Sequence, residues 1–230
     1  VNKILSYYNK NALGDWRNTI TLLADDIDES GEEVLQQGVE KIADEIKANN
    51  PIFNVNKIYM DAYVQQNAAG GERYPEVNKA ITNAIEKGTL VFDYFGHGGE
   101  DGFASERILD VPQIQSFNNE NTLPLFITVT CSFSRFDNPN RITAGEILFK
   151  SKTGGAANMI STTREVFIFV GQQFNENLIR ILMGFNNEDL SIAEGLMTTK
   201  NQFSSPQKFF IYSFGDPAKK LAIPKPNIRI

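Results

Sequence analysis

The sequence predicts an α/β fold, a mostly parallel sheet with helices on both faces, and three observations carry that expectation. Short apolar runs alternate with amphipathic stretches of helical period along nearly the whole chain. Two of these runs, Leu90 to Phe95 and Leu125 to Thr130, have the composition of buried strands. Each strand also gives way to polar residues, and right-handed crossovers would bring those strand ends to one edge of the sheet.

Taken in order, Ile4 to Tyr8 is a short apolar start, followed by a polar stretch containing Gly14-Asp15-Trp16. Thr19 to Ala24 is the first strand, and the acidic run Asp25-Asp26-Ile27-Asp28-Glu29 stops it. From Glu32 to Asn49, the residues Val34, Leu35, Val39, Ile42, Ala43 and Ile46 share one helical face, and Asn49-Asn50-Pro51 ends that helix. Asn54 to Met60 reads as the second strand. Gln65 to Tyr74 is polar, contains Gly70-Gly71, and reads as a loop able to reach over a site. Pro75 suits the first turn of a helix running to about Lys87. The strand ending at His97 follows, then a loop through Glu100-Asp101-Gly102 and a short helix from Val111 to Phe117. The next strand ends on Cys131, and Ser132 to Ile142 forms a loop. Ala144 to Phe149 is a short helix, Ala156 to Ile160 a strand, and Val170–Met183 and Ser191–Thr199 are helices. A last strand, Phe209 to Phe214, precedes a proline-broken tail. No repeat, low-complexity segment or composition shift divides the chain, so residues 1–230 read as one domain.

Of the 230 residues, 41% are hydrophobic and 22% charged, ordinary for a globular protein, and the net charge is −6. That charge, without any lysine/arginine run, argues against a nucleic-acid partner. A lone cysteine excludes an internal disulfide framework. No apolar run approaches membrane-spanning length, and Val1 in place of methionine suggests a piece of a longer protein.

The chemistry concentrates on two singletons. His97 is the only histidine and Cys131 the only cysteine, and both stand at the ends of buried strands. Strand ends are where α/β sheets build sites. Alone, His97 would pass for a loop residue and Cys131 for a small core residue. Their matched placement points instead to a nucleophile and its proton acceptor. Gly96, Gly98 and Gly99 would let the backbone turn beside a substrate, and amide N–H groups past a strand end could hold an oxyanion. Asp25, Asp61, His97, Cys131 and Thr162 would share the rim. The acids after Ala24 could bind a cation, orient the histidine, or simply be a solvated loop. Arg107, Arg135, Arg141 and Arg164 could hold a carboxylate or phosphate, against the plainer reading of surface arginines. A phosphate-cradling loop at 96–102 lacks a following lysine, and a zinc site would lack ligands, so neither a metal nor a cofactor is expected. The competing class is a non-catalytic binding module in which both singletons are incidental.

These residues resemble the gingipain family of cysteine peptidases, within the wider group that includes caspases and legumain. The motif Phe95-Gly96-His97-Gly98-Gly99-Glu100-Asp101-Gly102 resembles the PorU-type sortases of the type IX secretion system. So do Leu123-Pro124-Leu125 through Cys131 and Phe133-Ser134-Arg135-Phe136-Asp137-Asn138-Pro139. Gly14-Asp15-Trp16-Arg17, Ala24-Asp25-Asp26, Gly70 to Pro75 and Phe214-Gly215-Asp216-Pro217 extend the likeness along the chain. The resemblance implies a caspase-like, gingipain-like fold with Cys131 as nucleophile and His97 as acid/base. It also implies an oxyanion hole from the N–H groups of Gly98 and Cys131. Asp25 is the candidate for orienting the imidazole, and Arg135, Thr162 and Arg164 for binding substrate. Thr130 departs from the alanine or serine common before the cysteine in the wider group. For such a sortase the resemblance implies a cell-surface, outer-membrane location and cleavage of C-terminal sorting domains from secreted cargo. The acyl group would pass to an amine of lipopolysaccharide, beside other secretion-system proteins.

Overall fold

The computed structural model describes residues 2–186 and 188–224. The end of the proline-broken tail, residues 225–230, lies outside the described residues. In chain order the elements are α1 (Asn2–Tyr7), β1 (Thr19–Ala24), α2 (Glu33–Asn49), β2 (Asn54–Tyr59), β3 (Gln66–Ala68), β4 (Gly71–Arg73), α3 (Pro75–Lys87) and β5 (Val91–Phe95). There follow β6 (Gly98–Gly99), β7 (Gly102–Phe103), β8 (Leu109–Asp110), α4 (Val111–Ser116), β9 (Leu125–Thr128), α5 (Ala144–Lys150), β10 (Asn158–Thr162), α6 (Ile168–Leu182), α7 (Ile192–Asn201) and β11 (Ile211–Phe214). The main sheet has the order β11-β10-β9-β5-β1-β2. All its pairings are parallel except that of β10 with β11.

Strand periodicity divides the core between the two faces. Leu22, Ala24, Val91, Phe95, Leu125 and Ile127 pack with Leu35, Val39 and Ile46 of α2, Phe174 and Leu178 of α6, and Leu196 of α7. The intervening Leu23, Phe92, Tyr94 and Phe126 pack with Val77, Ile81 and Ile85 of α3, Ile114 of α4 and Leu148 of α5. The sheet is thus covered on both faces, as parallel pairing with helical crossovers requires.

An aromatic column on the second face fixes the loops that leave the sheet. Phe92 stacks on Phe126 with ring centroids 4.8 Å apart, and Tyr94 on Phe103 at 4.0 Å. Phe103 in turn meets Phe133 at 4.6 Å. Phe103 belongs to the loop after His97 and Phe133 to the loop after Cys131, and both rings are fully buried. Each such pair contributes about 0.5–1.5 kcal/mol beyond its area burial. The site loops are therefore tied to the core and to each other.

Three features depart from the sequence expectation. Residues 2–7, at the apolar start to which the sequence assigns no element, form a helix. Gln65 to Tyr74 holds an antiparallel hairpin, with Gln66 opposite Arg73, whose guanidinium donates to the carbonyl of Gly70 (2.7 Å). The loop after His97 forms a small antiparallel sheet, β6-β7-β8. Strands of two or three residues are too short to impose a readable period.

Candidate active site

The parallel register of β5 and β9 sets Tyr94 opposite Thr128. His97 and Cys131 each lie three residues beyond that pair, so adjacent strands deliver them to the same height on the rim. The following loops touch. A Cβ at Gly98 would stand 2.7 Å from Thr130 Oγ1, closer than a side chain can approach. At Gly96 it would stand 2.5 Å from the Tyr94 hydroxyl and 2.6 Å from Asp25 Cβ. Both glycines are thus required by close approach, and neither by a left-handed backbone.

His97 is held at three points. Its main-chain N–H donates to Asp25 Oδ2 at 2.6 Å, and its carbonyl accepts from the Tyr94 hydroxyl at 2.7 Å. Its ring Nε2 meets Glu32 Oε1 at 2.8 Å. The other oxygen of Glu32 accepts the N–H groups of Asp28 and Glu29, each at 2.9 Å. Burial opposes the charge on Glu32, but these N–H donors and the imidazole outweigh it and hold its carboxyl below the usual range. An ionised Glu32 places the proton on Nε2 and leaves Nδ1 as the nitrogen available for chemistry. Burial likewise opposes charge on His97, yet the Glu32 hydrogen bond and the charge of Asp25 raise its pKa.

Cys131 is half-buried. Burial pushes its thiol up, partly offset by a hydrogen bond from the Val166 N–H, while Glu165 adds to the rise. The next residue, Ser132, takes φ +51° and donates its N–H to the carbonyl of Arg164 (3.4 Å). Thr162 Oγ1 donates to the carbonyl of Thr130, and Ser134 N–H to the carbonyl of Thr162 (2.9 Å). The loop carrying the thiol is thus anchored on both sides of Cys131 to β10 and the segment after it. The Cys131 N–H donates to no backbone carbonyl of the described residues. The imidazole and thiol are not hydrogen-bonded to each other in this arrangement, a looseness common before substrate binds.

Beside His97 lies a cleft of about 790 Å³, bordered by Gly98, Gly99, Ala104, Arg107, Asp110 and Val111. On the Cys131 side, Phe167 and Phe169 follow Val166 and are 74% and 65% exposed.

The sequence expectations meet this geometry unevenly. Asp25 reaches His97 through the backbone, not the ring; as orienter of the imidazole it is replaced by Glu32. The reason is topological: Asp25 directly continues β1, whose last residue, Ala24, lies opposite Phe95, so its carboxylate meets the turn at its main chain. Thr162 is fully buried and braces Thr130, so it does not face a substrate. Arg164 forms a fork with Asp137 (2.9 and 2.5 Å), and Arg135 pairs with Glu100 at 3.2 Å. Arg141 pairs with Asp101 and Glu100. Arg107 is exposed and borders the cleft. Asp61 receives the side-chain amide of Gln36 and makes no hydrogen bond to His97 or Cys131.

Comparison with known proteins agrees with the geometry. No curated protein sequence matches the chain. Among solved structures, the Arg-specific cysteine proteinase gingipain R superposes with a TM-score of 0.77 at 17% identity, covering 96% of this chain and 51% of its own. A complex of Porphyromonas gingivalis RgpB pro- and mature domains gives 0.76 at 16% identity, covering 97% and 54%. This chain thus spans about half the length of those proteins. Caspase-1 from Spodoptera frugiperda gives 0.51 at 13% identity, covering 89% and 90%. The fold is therefore caspase-like and gingipain-like. The family model for peptidase family C25 matches residues 1–222, and the chain belongs to that family of gingipain-like cysteine peptidases.

Proposed function

We propose that this domain is a cysteine endopeptidase in which Cys131 attacks and His97 moves the proton. The observation that carries the reading is the shared register of β5 and β9, which sets both residues on one rim with Glu32 on the imidazole. Burial holds the resting sulphur as a thiol. In the attack, Cys131 Sγ bonds to the scissile carbonyl carbon as its proton passes to His97 Nδ1, and the imidazolium is balanced by Glu32. In this reading the N–H groups of Gly98 and Cys131, just past the strand ends, receive the oxyanion. Collapse breaks the C–N bond, the leaving amine takes the proton from His97, and a thioester remains on Cys131.

A second acceptor then decides the outcome. Water would give hydrolysis, and an amine would give transfer. The motifs around His97 and Cys131 resemble sortases, which favours transfer to a surface glycolipid amine after removal of a C-terminal sorting domain from secreted cargo. This reading carries the expected partners with it: the cargo sorting domain, lipopolysaccharide and other secretion-system proteins at the outer membrane. The exposed Phe167 and Phe169 offer apolar contact to a substrate beside the thioester, and ordered screening of that bond protects it from water.

The test is mass spectrometry of cargo processed by the intact machinery. Wild type should yield cargo ending in an amide bond to a glycolipid, and Cys131→Ala should leave the sorting domain attached. Processed cargo with only free carboxyl ends, formed with acceptor abundant, makes the domain a plain peptidase. Normal processing by Cys131→Ala ends the catalytic reading.

A further inference from the structure

The cleft beside His97 is bordered by three acids and one arginine, Glu100, Asp101, Asp110 and Arg107. Each acid is already committed. Glu100 accepts from Arg135 at 3.2 Å and from Asn138 at 3.1 Å, and Asp101 pairs with Arg141. Asp110 caps α4, its Oδ1 accepting the Gln113 N–H at 3.0 Å. Arg107 is different. Among the described residues its guanidinium enters no ion pair and no hydrogen bond, and the side chain is exposed. Glu106 before it is buried, so the acid turns inward where the arginine turns out. The backbone that presents Arg107 is strained, with φ +55°, and Ala104 at the start of the same turn has φ +56°. Such conformations persist only where the surroundings impose them. Here Arg107 N–H donates to the Ala104 carbonyl (3.3 Å), and Ala104 N–H to the carbonyl of His97 (3.0 Å). Asn78 Nδ2 of α3 donates to the Arg107 carbonyl at 2.9 Å. The remaining left-handed non-glycine residue among those described is Ser132, next to Cys131. All three thus flank the two strand-end residues, and Arg107 is fixed two hydrogen bonds from the main chain of His97.

We propose that Arg107 is a specificity residue for the leaving side of the substrate, binding an acidic side chain a few residues beyond the scissile bond. The inference rests on the reading of His97 as proton donor to the departing amine. That role puts the leaving segment on the His97 side of the bond, and the acyl segment on the side of Cys131, Phe167 and Phe169. The cleft of about 790 Å³ is the space on the His97 side. A guanidinium matches a carboxylate with two parallel N–H donors, a geometry that no neutral side chain reproduces. Arg135 and Arg141 balance Glu100 and Asp101, so an entering carboxylate meets one unpaired cation. A lysine in the same place would meet that cation and be repelled, which gives the subsite its selection by charge.

The test uses peptides alike except at successive positions after the scissile bond, each carrying Glu, Gln or Lys. At one or more of these positions wild type should cut the Glu peptide roughly three- to tenfold better in kcat/KM than the Gln peptide, and the Lys peptide worst. High salt should shrink the difference. Arg107→Asn and Arg107→Asp change the charge while respecting the turn, because both residues tolerate a left-handed backbone. Arg107→Asn should bring the Glu-to-Gln ratio to unity, and Arg107→Asp should reverse the order in favour of Lys. Wild type without a charge preference at any position overturns the subsite, and so does a Glu preference kept by both variants. Binding supplies an arm independent of turnover. Ala-Glu-Glu-Ala amide titrated into Cys131→Ala should shift the NMR resonances of residues 98–107, and adding Arg107→Asn should abolish the shift. No shift, or an equal shift from Ala-Lys-Lys-Ala amide, also overturns the subsite. If wild type cuts none of the peptides, the reading of Cys131 and His97 fails, and the titration still decides Arg107.

Discussion

Glu32 decides what His97 can do. With Nε2 hydrogen-bonded to an ionised carboxylate, the imidazole is fixed in one tautomer and its charged form is stabilised as it takes the thiol proton. Glu32→Gln keeps a hydrogen-bonding atom near Nε2 but removes the charge. We expect kcat/KM on a peptide substrate to fall on the order of 10²-fold with the fold unchanged. Because Glu32 raises the His97 pKa, its loss lowers that pKa, and the limb of the pH–rate profile that reports His97 shifts to lower pH. An unchanged profile in the variant would leave Glu32 a structural cap for the turn at Asp28 and Glu29. His97→Ala removes the proton acceptor altogether. Its residual rate should rise only as pH climbs beyond the ordinary thiol range of about 8.5, because burial raises the pH at which solvent deprotonates Cys131 unaided. Rates equal to wild type at neutral pH would remove the imidazole from the mechanism.

At the scale of elements, the site depends on how closely the β5 and β9 loops approach. Gly98→Val would drive a branched side chain into Thr130, against backbone that the Phe103–Phe133 contact holds in place. We expect destabilisation of roughly 1–3 kcal/mol by denaturant unfolding and a larger loss of activity than of stability. A variant with wild-type turnover would show that the loops can separate without cost to the site. The same elements explain what could be read from the chain. Leu90 to Phe95 and Leu125 to Thr130 were legible because their apolar runs end on unique reactive residues, and parallel pairing of adjacent strands then forces those residues together. Glu32 was not legible: Asp25, Asp26, Asp28, Glu29, Glu32 and Glu33 crowd one segment, and no periodicity distinguishes the one that reaches the ring. The direction of β11 was hidden too, since side-chain alternation is the same for a parallel and an antiparallel strand. The arginines were misleading for a related reason. Their acidic partners, Glu100, Asp101 and Asp137, lie on different loops from the arginines they meet, and sequence distance does not reveal which charges meet.

At the scale of the whole molecule, the fold carries an ionisable group at the centre of its sheet. Asp93 lies in the middle of β5, fully buried on the face covered by α2 and α6. Asn175 of α6 donates to its Oδ2 at 2.8 Å, while Asp93 Oδ1 and Asn175 Oδ1 have no partner. Burial pushes the carboxyl up from 3.8 to about 7, with the Asn175 bond acting weakly the other way. The folded chain therefore keeps a proton that the unfolded chain releases above pH 3.8. Between those values folding takes up a proton, so the contribution of Asp93 to stability falls as pH rises, by up to about 1.4 kcal/mol per pH unit. Above about 7 the penalty is fully present. Asp93→Asn has the same shape, cannot ionise, and brings an amide donor to the orphaned oxygen of Asn175. The variant should match wild type within about 1 kcal/mol near pH 3, below both values, where Asp93 is protonated in both states. It should exceed wild type at pH 8, with a flatter dependence of the urea midpoint on pH between. A variant less stable than wild type at pH 8 would mean that the ionised carboxylate is tolerated at the sheet centre, and that burial does not govern its proton.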